Sequence, residues 1–167
     1  MTWFRTSIIL LILTCCVGCD QMTKQYARER LPASPTVGMF SDIVVFQYTE
    51  NRGAAMSFGA DFPRTVRLTL FVGMAAVILL SILGLVLWQN SLSLPVVMGL
   101  SMIVGGGFGN LLDRIMNHGR VIDFMILRFG RYQTAIFNGA DVAITAGLIL
   151  ILFTILLNSG VRRQIPS

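Results

Sequence analysis

Two aspartates in apolar surroundings are the side chains of this sequence best placed to do chemistry. Asp123 lies within the stretch 121–124, and Asp141 stands at the start of the last long apolar run. A charged side chain at membrane depth is costly, so an ionisable residue there is a functional candidate. Two carboxylates that come close together cannot easily both ionise, and a pair that shares one proton can act as general base and general acid. That chemistry requires elements of structure that bring the two residues together.

The composition predicts that these elements are membrane helices. Of the 167 residues, 54% are hydrophobic and 13% are charged, whereas about a quarter of the residues of a soluble domain are charged. The net charge is +5, and no run of Lys and Arg forms a nucleic-acid patch. The basic character therefore favours membrane lipids, and not nucleic acid, as partners. We expect residues 1–167 to form a single integral membrane domain.

The sequence predicts neither a disulfide framework nor a metal site. Its three cysteines, Cys15, Cys16 and Cys19, all lie in the first apolar run, and its one histidine, His118, has no partner at ligand spacing. No cofactor is expected either, because an aspartate pair needs only water.

Four segments approach the length of about 20 apolar residues that crosses a bilayer. They cover residues 6–23, 68–88, 94–112 and 140–158. A backbone in lipid must satisfy its hydrogen bonds within the segment, so each segment is predicted to be a helix. The third segment is rich in glycine, which favours close contact between helices. Its glycines are Gly99, Gly105, Gly106, Gly107 and Gly109.

The connections are unequal, and two of them carry strand patterns. Residues 89–93 form a short link, whereas residues 24–67 and 113–139 form longer loops. β-Branched and aromatic residues predict a strand over residues 44–49 and a second strand near residues 132–137. The predicted fold class is an all-α membrane protein with four transmembrane helices and a small β-rich platform.

Counting the crossings predicts where the acidic residues lie. Four crossings put both longer loops on one side of the membrane, so the residues at their ends share one membrane face. The acidic residues placed there are Asp20, Asp113, Asp123 and Asp141.

The basic residues leave the orientation in the membrane open. The side with the chain termini carries three of them and the side with the loops carries ten. The positive-inside rule would put the loops in the cytoplasm. Ion pairs or lipid phosphates that occupy loop arginines would remove those residues from the count.

A second interpretation of the N-terminus is a lipoprotein signal. Arg5, the apolar run 8–13 and the ending at Cys19 resemble a site of lipidation and cleavage, which would remove residues 1–18. Against this, Cys16 stands where such a site typically has Leu, and three further apolar segments are unusual for a lipoprotein.

Five short motifs lie at the ends of the apolar segments or in the loops between them. They cover residues 20–24, 51–57 and 109–114 and the two segments around Asp123 and Asp141. In this order, and placed against four membrane segments, they resemble the bacterial lipoprotein signal peptidase family, signal peptidase II. The resemblance extends over nearly the whole chain.

This resemblance implies an intramembrane aspartyl endopeptidase. Such an enzyme removes the signal peptide from diacylglyceryl-modified prolipoproteins and cuts just before the lipidated cysteine. Asp123 and Asp141 match the catalytic pair of the family. The positions that match its substrate-binding or supporting residues are Asp20, Lys24, Asn51, Gly53, Asn110, Asp113, Arg114, Asn138 and Ala140.

The resemblance also implies a setting for the enzyme. It predicts a multi-pass protein of the bacterial inner membrane with cytoplasmic termini and an active site near the periplasmic face. The β-rich platform and a short helix of the long loop would lie over the site on the periplasmic side. Cyclic peptides of the globomycin type would be inhibitors. We give this orientation precedence over the count of basic residues.

Simple structural roles are alternatives for several of these residues. Asp113 and Arg114 could form an ion pair at a helix end, and Asp20 could be a helix-end residue that positions the first segment. Asn51 could make a turn before Gly53. Asp123 and Asp141 could each be an interfacial aspartate or a helix N-cap, and Asp141 suits a cap because it opens a segment.

Two other functions are compatible with the residues. A Ser–Lys peptidase would use Ser57 and Lys24. A small transporter or ion-coupled carrier would bind cations at the aspartates. Against the carrier, the carboxylates are expected at one face of the membrane, away from its midplane, and the sequence shows no inverted repeat.

Overall fold

The computed structural model describes residues 3–31, 36–54 and 57–162, with side chains up to residue 158. Four of its helices are long and apolar enough to cross a membrane. They contain the four apolar segments of the sequence and indicate a multi-pass membrane protein. Their bounds are α1 Trp3–Arg30, α2 Arg64–Trp88, α3 Leu94–Met116 and α4 Gly139–Arg162.

Helix α1 continues beyond the apolar run because its last turns bury one face. Asp20, Lys24, Ala27 and Leu31 are all buried, and their spacing of three and four positions places them on the same side of a helix. The apolar pattern ends where the polar residues begin, near residue 23. Burial of this amphipathic face carries the helix on to Arg30.

Helix α3 lies at the centre of the bundle. In its most apolar window 44% of the residues are buried, against 11% in the corresponding window of each other helix. A Cβ added at Gly105 would meet Cys16 of α1, and one added at Gly106 would lie 2.5 Å from the carbonyl oxygen of Ala140 in α4. The glycines of α3 therefore allow α1 and α4 to approach closely, as small residues do in membrane bundles.

The first turns of α1 contact the C-terminal end of α2. The Arg5 guanidinium donates hydrogen bonds to the carbonyl oxygens of Val86, Gln89 and Asn90 at 2.9, 2.7 and 3.2 Å. Carbonyl groups at the end of a helix have no partners within it, so Arg5 satisfies groups that would otherwise be unpaired. Ile9 packs against Val86 in the same region. Arg5 and Ile9 both lie within residues 1–18, which cleavage of a lipoprotein signal would remove, so such cleavage would remove these contacts with α2.

A four-stranded antiparallel sheet with the order β1-β2-β3-β4 lies beyond the helix ends. Its strands are β1 Val37–Met39, β2 Val44–Asn51, β3 Val121–Phe129 and β4 Tyr132–Gln133. The register of β2 and β3 pairs Asn51 with Val121 and shifts between Phe46 and Thr49. Because alternate residues of a strand face the same side, Asn51 lies on the same side of the sheet as Asp123.

The strand predictions are correct for the first longer loop and partly wrong for the second. The strand predicted over residues 44–49 is confirmed within β2. In the second loop β4 covers only Tyr132–Gln133, and Phe137 forms an isolated bridge with Met125. The long strand of that loop is β3, whose first four residues are all buried. A strand buried on both faces lacks the alternation that reveals a strand in a sequence.

A small apolar core joins α1 to the sheet. Ala27 and Leu31 pack with Ile122 and Phe124, so the end of α1 fixes the strand that carries Asp123. The short helix expected in the long loop stays a prediction, because residues 55–56 of that loop lie outside the described residues. Ser57 has a positive φ of 60°, and residues 58–60 form turns.

Candidate active site

Asp123 is a buried carboxylate on β3 that is held by amide groups. Its exposed fraction is 3%. Its Oδ1 accepts a hydrogen bond from Asn138 Nδ2 at 2.7 Å, and its Oδ2 accepts one from Asn51 Nδ2 at 3.2 Å. The sheet register brings Asn51 alongside, and Asn138 immediately precedes α4. Both oxygens of Asp123 therefore receive a neutral donor.

Asp141 lies in the first turn of α4 and forms a capping box with Asn138. Asn138 Oδ1 accepts a hydrogen bond from the Asp141 N–H at 3.0 Å, and Asp141 Oδ2 accepts one from the Asn138 N–H at 3.1 Å. This reciprocal pair satisfies two backbone donors at the start of the helix. Asn138 is thus the N-cap, and Asp141 is the third helical residue, which corrects the cap alternative for Asp141.

Asn138 and Asn110 connect the two carboxylates. Asn138 Nδ2 donates to Asp123 Oδ1 and also lies 3.0 Å from Asn110 Oδ1. Asn110 Nδ2 in turn donates to Asp141 Oδ1 at 2.9 Å. Asp123 and Asp141, which we call the aspartate pair, are therefore linked through the side chains of Asn138 and Asn110 in series.

Burial and the neighbouring charge change the acidity of Asp123. Burial is the larger cause and the charge of Asp141 the second, and together they raise the pKa of Asp123 from 3.8 to about 6. The hydrogen bonds from Asn138 and Asn51 favour the ionised form and act in the opposite direction. A carboxyl group with a pKa near the working pH is suited to general acid–base chemistry.

A second group of buried charges, the lysine cluster, consists of Asp20, Gln21, Lys24 and Asp113. Lys24 Nζ lies 2.7 Å from Asp20 Oδ2 and 3.1 Å from Asp113 Oδ2. Gln21 Nε2 donates to Asp113 Oδ1 at 3.0 Å and to Asp20 Oδ2 at 3.2 Å. The cluster pairs α1 with α3 and surrounds a buried ammonium group with acceptors, as a buried charge requires.

The lysine cluster also holds the backbone beside each member of the aspartate pair. Asp20 Oδ1 accepts a hydrogen bond from the Ala140 N–H at 2.8 Å, and Asp113 Oδ2 accepts one from the Ile122 N–H at 2.9 Å. Ala140 and Ile122 each precede one of the paired aspartates by one position. The cluster therefore fixes the two chain segments that carry the pair.

Lys24 makes a third contact that reaches the pair itself. Its Nζ donates to Asn110 Oδ1 at 2.9 Å. With its oxygen occupied in this way, Asn110 presents its Nδ2 donor to Asp141. The ammonium group therefore helps to set the orientation of an amide that contacts the pair.

Arg114 ties the long loop to α3. Its guanidinium donates to the carbonyl oxygens of Gly53 at 3.0 Å and Asn110 at 3.1 Å, and it lies 5.8 Å from the ring centroid of Phe71. Among the described residues Arg114 forms no ion pair within 4.0 Å, and Asp113 pairs with Lys24 instead. The alternative of an Asp113–Arg114 ion pair is therefore wrong.

Asn51 both forms a turn with Gly53 and contacts Asp123. Its Oδ1 accepts a hydrogen bond from the Gly53 N–H at 2.8 Å, which forms a turn, while its Nδ2 contacts Asp123. Asp20 lies well before the end of α1 at Arg30, so it is not an end residue of that helix, and its Oδ1 instead accepts a hydrogen bond from the Ala140 N–H in the first turn of α4.

Every site residue predicted from the resemblance lies in this network, and two of its members are not identified from the sequence. Gln21 joins the two carboxylates of the lysine cluster, and its position within the polar group 20–24 is the signal that points to it. Gly109 provides space, because a Cβ there would lie 2.5 Å from Asp20 Oδ2. Within the part of the chain that the structure describes, no three His, Cys, Asp or Glu side chains gather as ligands for a metal ion.

Comparison with known proteins shows what the whole chain is similar to. Residues 12–157 match the family model described as signal peptidase (SPase) II. The lipoprotein signal peptidase of Pelodictyon phaeoclathratiforme is 35% identical over 155 residues, covering 87% of this chain and 86% of the relative. That of Azoarcus sp. is 37% identical over 147 residues, covering 86% and 80%. That of Streptococcus pneumoniae is 31% identical over 152 residues, covering 91% and 94%.

Two solved structures, both described as bacterial membrane enzymes, have a similar fold. One has a TM-score of 0.77 and 24% identity, and it covers 95% of this chain and 93% of its own. The other has a TM-score of 0.75 and 26% identity, and it covers 89% and 92%.

Proposed function

Because the chain belongs to the signal peptidase II family, we propose that it is an aspartyl endopeptidase whose catalytic residues are Asp123 and Asp141. Its substrates would be diacylglyceryl-modified prolipoproteins, from which it removes the signal peptide by cutting just before the lipidated cysteine. The names of the relatives support this substrate class, since they are lipoprotein signal peptidases.

The observation that carries the proposal is the connection of a buried carboxylate, Asp123, and a half-buried one, Asp141, through one asparagine residue. Asn138 donates its Nδ2 to Asp123 and its backbone N–H to Asp141. No cation lies within 4.0 Å of either carboxylate among the described residues. Two carboxylates in this situation share a proton more readily than they both ionise.

A shared proton provides the acid and the base that peptide hydrolysis needs. The ionised carboxylate takes a proton from a water molecule, whose oxygen then attacks the scissile carbonyl carbon. The protonated carboxyl polarises the carbonyl oxygen and then donates its proton to the leaving amine. The protons belong to the pair as a unit, so the pair is described by joint apparent pKa values.

The surrounding residues would keep the pair in position for this reaction. Asn51, Asn110 and Asn138 are neutral donors, so they orient the carboxylates without fixing the negative charge as a cation would. Asp20 and Asp113 hold the adjacent backbone. Gly53 and Ala140 are small buried residues beside the pair, and their size lets the chain itself pack closely there, since a Cβ at Gly53 would clash with the Phe58 carbonyl oxygen.

The proposed setting is the bacterial inner membrane. The termini would lie in the cytoplasm, and residues 24–67 and 113–139 would face the periplasm, with the sheet over the site. Globomycin-type cyclic peptides would compete with the substrate. Exposure of the termini on the outer surface of intact spheroplasts would contradict this orientation.

The two other functions fit the contacts less well. A Ser–Lys mechanism needs a neutral lysine with an available lone pair, but Lys24 Nζ donates to Asp20, Asp113 and Asn110. Ser57 is exposed and bonds through its backbone N–H to Ala54. A cation carrier is not supported by the relatives, which are named as peptidases.

Cleavage of a lipidated prolipoprotein in detergent tests the proposal. Asp123→Asn and Asp141→Asn should each lower the rate by about a hundredfold or more, because each removes an acid–base group. Asp42→Asn is the matched control, since Asp42 is an exposed aspartate of the β1–β2 turn and its backbone φ of 63° is one that asparagine tolerates. Ser57→Ala should also retain activity. Near-normal turnover by either variant of the aspartate pair would show that the mechanism is wrong.

A further inference from the structure

A separate, strongly basic cavity lies where α2 begins and α3 ends. Its volume is about 290 Å³, and it is lined by Arg52, Arg64, Arg67, His118 and Arg120. We propose that this cavity binds the phosphodiester headgroup of an anionic membrane phospholipid. Neither the proposed cleavage reaction nor its residues account for this concentration of positive charge.

The charge of the cavity is only partly balanced. Arg120 NH1 lies 2.6 Å from Glu50 Oε2, and this guanidinium holds the pKa of Glu50 below its usual value. Across residues 3–31, 36–54 and 57–158, no carboxylate lies within 4.0 Å of Arg52, Arg64 or Arg67. Guanidinium groups that share a cavity repel one another, and an anion between them removes that repulsion.

The chemistry of the lining suits a phosphate. Arginine presents planar N–H donors that match phosphate oxygens two at a time. Arg67 uses one terminal nitrogen to hold the Ala60 carbonyl oxygen at 3.3 Å, while its buried Nε has no hydrogen-bond partner among the described residues. That nitrogen is closed off from the cavity, as the Nε atoms of Arg5 and Arg114 are from solvent. The exposed guanidinium groups of Arg52 and Arg64 are the donors that an anion in the cavity would meet.

The position of the cavity favours a lipid over a phosphate in solution. Arg64 is the first residue of α2, Arg67 lies one turn later, and the apolar run predicted to cross the membrane begins at Leu68. His118 and Arg120 follow directly after α3 ends at Met116. Both helices thus present basic groups at the depth where an apolar helix leaves the bilayer, and lipid phosphates lie at that depth.

The turn after α3 is shaped to present these groups. His118 has a positive φ of 55° and Gly119 one of 85°, and the Gly119 N–H donates to the Arg114 carbonyl oxygen at 2.7 Å. This left-handed turn closes the helix end. It also carries the chain directly to Arg120 on the cavity wall.

The cavity adjoins the loop that reaches the aspartate pair. Arg52 lies between Asn51, which contacts Asp123, and Gly53, whose carbonyl oxygen contacts Arg114. A headgroup held by Arg52 would therefore restrain this loop. The binding itself does not depend on peptidase activity.

Titration of the full-length protein in a neutral detergent tests the assignment. The ligand is short-chain phosphatidylglycerol, with short-chain phosphatidylcholine and inorganic phosphate as comparison ligands. We expect phosphatidylglycerol to bind most tightly. The double variant Arg52→Gln/Arg64→Gln should weaken its binding by about tenfold or more, because two charge-assisted contacts are lost. Both side chains are exposed, so the substitutions do not disturb the core.

Matched variants separate this site from general surface attraction. Arg131→Gln removes an exposed loop arginine that stacks on Tyr132 outside the cavity, and it should leave binding unchanged. Arg64→Lys keeps the charge but not the planar donors, so it should retain part of the affinity. Asp123→Asn should bind the lipid normally, which distinguishes this proposal from the proposed catalysis.

Three results would overturn the proposal. Unchanged phosphatidylglycerol binding in the double variant would show that the cavity is not the site. An equal loss in Arg131→Gln would show diffuse attraction to a basic surface. Inorganic phosphate that competes at concentrations similar to those of the lipid, with the same dependence on Arg64, would assign the cavity to free phosphate.

Discussion

Two pairs of carboxylates lie at the same end of the helical bundle, and their negative charge is compensated differently. Asp20 and Asp113 share the ammonium group of Lys24, at 2.7 and 3.1 Å. Asp123 and Asp141 receive hydrogen bonds from amides, with Asn138 contacting both. The first pair also accepts from the Gln21 side-chain amide and from the backbone N–H groups of Ala140 and Ile122. The two arrangements are built from the same acidic residue type and differ mainly in the nature of the donor.

This difference separates a structural role from a chemical one. An ammonium group between two carboxylates stabilises both in the ionised form, so the lysine cluster is suited to fastening helices together. Neutral amides leave the second pair with its mutual repulsion, which raises the pKa of Asp123 in addition to the effect of burial. A pair that retains a proton near neutral pH is suited to proton transfer. Removing Lys24 should therefore reduce mainly the stability of the fold, whereas removing an amide donor should change mainly the acidity of the aspartate pair.

Lys24→Met should have the largest effect on folding. It removes the cation and leaves Asp20 and Asp113 buried without a counter-ion. Breaking a buried ion pair in this way costs about 3–5 kcal/mol. We expect a loss of this size in the free energy of unfolding, measured by chemical unfolding in a mild detergent. Asp123→Asn should cost little or increase stability, since it removes a desolvated carboxylate.

Arg28→Met is the matched control for the lysine variant. Arg28 lies one turn later in α1, is exposed, and contacts Asn117 Oδ1 at 2.6 Å. Its loss should change stability by about half a kcal/mol, as for most surface substitutions. Equal losses for Lys24→Met and Arg28→Met would contradict a structural role for the lysine cluster.

Gly109→Ala should have a smaller effect at the same cluster. The added Cβ would lie 2.5 Å from Asp20 Oδ2, so either the carboxylate or α1 must move. Overpacking of this kind typically costs about 1–3 kcal/mol. Chemical unfolding measures the loss, and retained cleavage at reduced stability would show that the cluster acts through the fold. Gly18→Ala is the control in α1, because a Cβ there meets nothing within 4 Å.

The helices and the gathering of acidic residues follow from the sequence because both depend on local patterns. Long apolar runs indicate membrane helices, and counting their crossings assigns Asp20, Asp113, Asp123 and Asp141 to one face. β3 is not recognised, since its first residues are all buried and show no alternation. The extension of α1 to Arg30 depends on burial against Ile122 and Phe124, which lie far along the chain.

The sequence predicts that Asp123 and Asp141 form a pair, but it does not predict that Lys24 joins Asp20 to Asp113. Lys24 contacts Asp113 of α3, and Asp20 contacts the Ala140 N–H of α4. Such long-range contacts depend on the packing of the helices and not on any local pattern. The motif at residues 20–24 identifies Asp20 and Lys24 as site residues. Which groups they contact is known only from the folded structure.

The smallest predicted effect is on the pH dependence of the aspartate pair. Burial and the charge of Asp141 raise the pKa of Asp123 to about 6. The hydrogen bond from Asn51 acts in the opposite direction, because it favours the ionised form. If cleavage needs the shared proton, kcat/KM should fall as the pH rises through about 6, where the free enzyme loses that proton. Asn51→Ala removes a donor to the carboxylate, so the pKa of Asp123 should rise further. The fall in kcat/KM should then occur at a pH higher by roughly 0.5 to 1 unit, since one hydrogen bond is worth about 0.5–1.5 kcal/mol.

Tyr48→Phe tests whether that shift belongs to the amide. Tyr48 lies on β2 as Asn51 does, but its hydroxyl donates to Glu50 Oε1 at 2.9 Å and not to Asp123. Its removal should leave the pH profile of kcat/KM unchanged. A shift to lower pH in Asn51→Ala would mean that the amide stabilises the protonated carboxyl, and a shift of equal size in Tyr48→Phe would mean that the strand as a whole has moved. Either result would remove the distinction between amide and ammonium donors on which the contrast between the two carboxylate pairs depends.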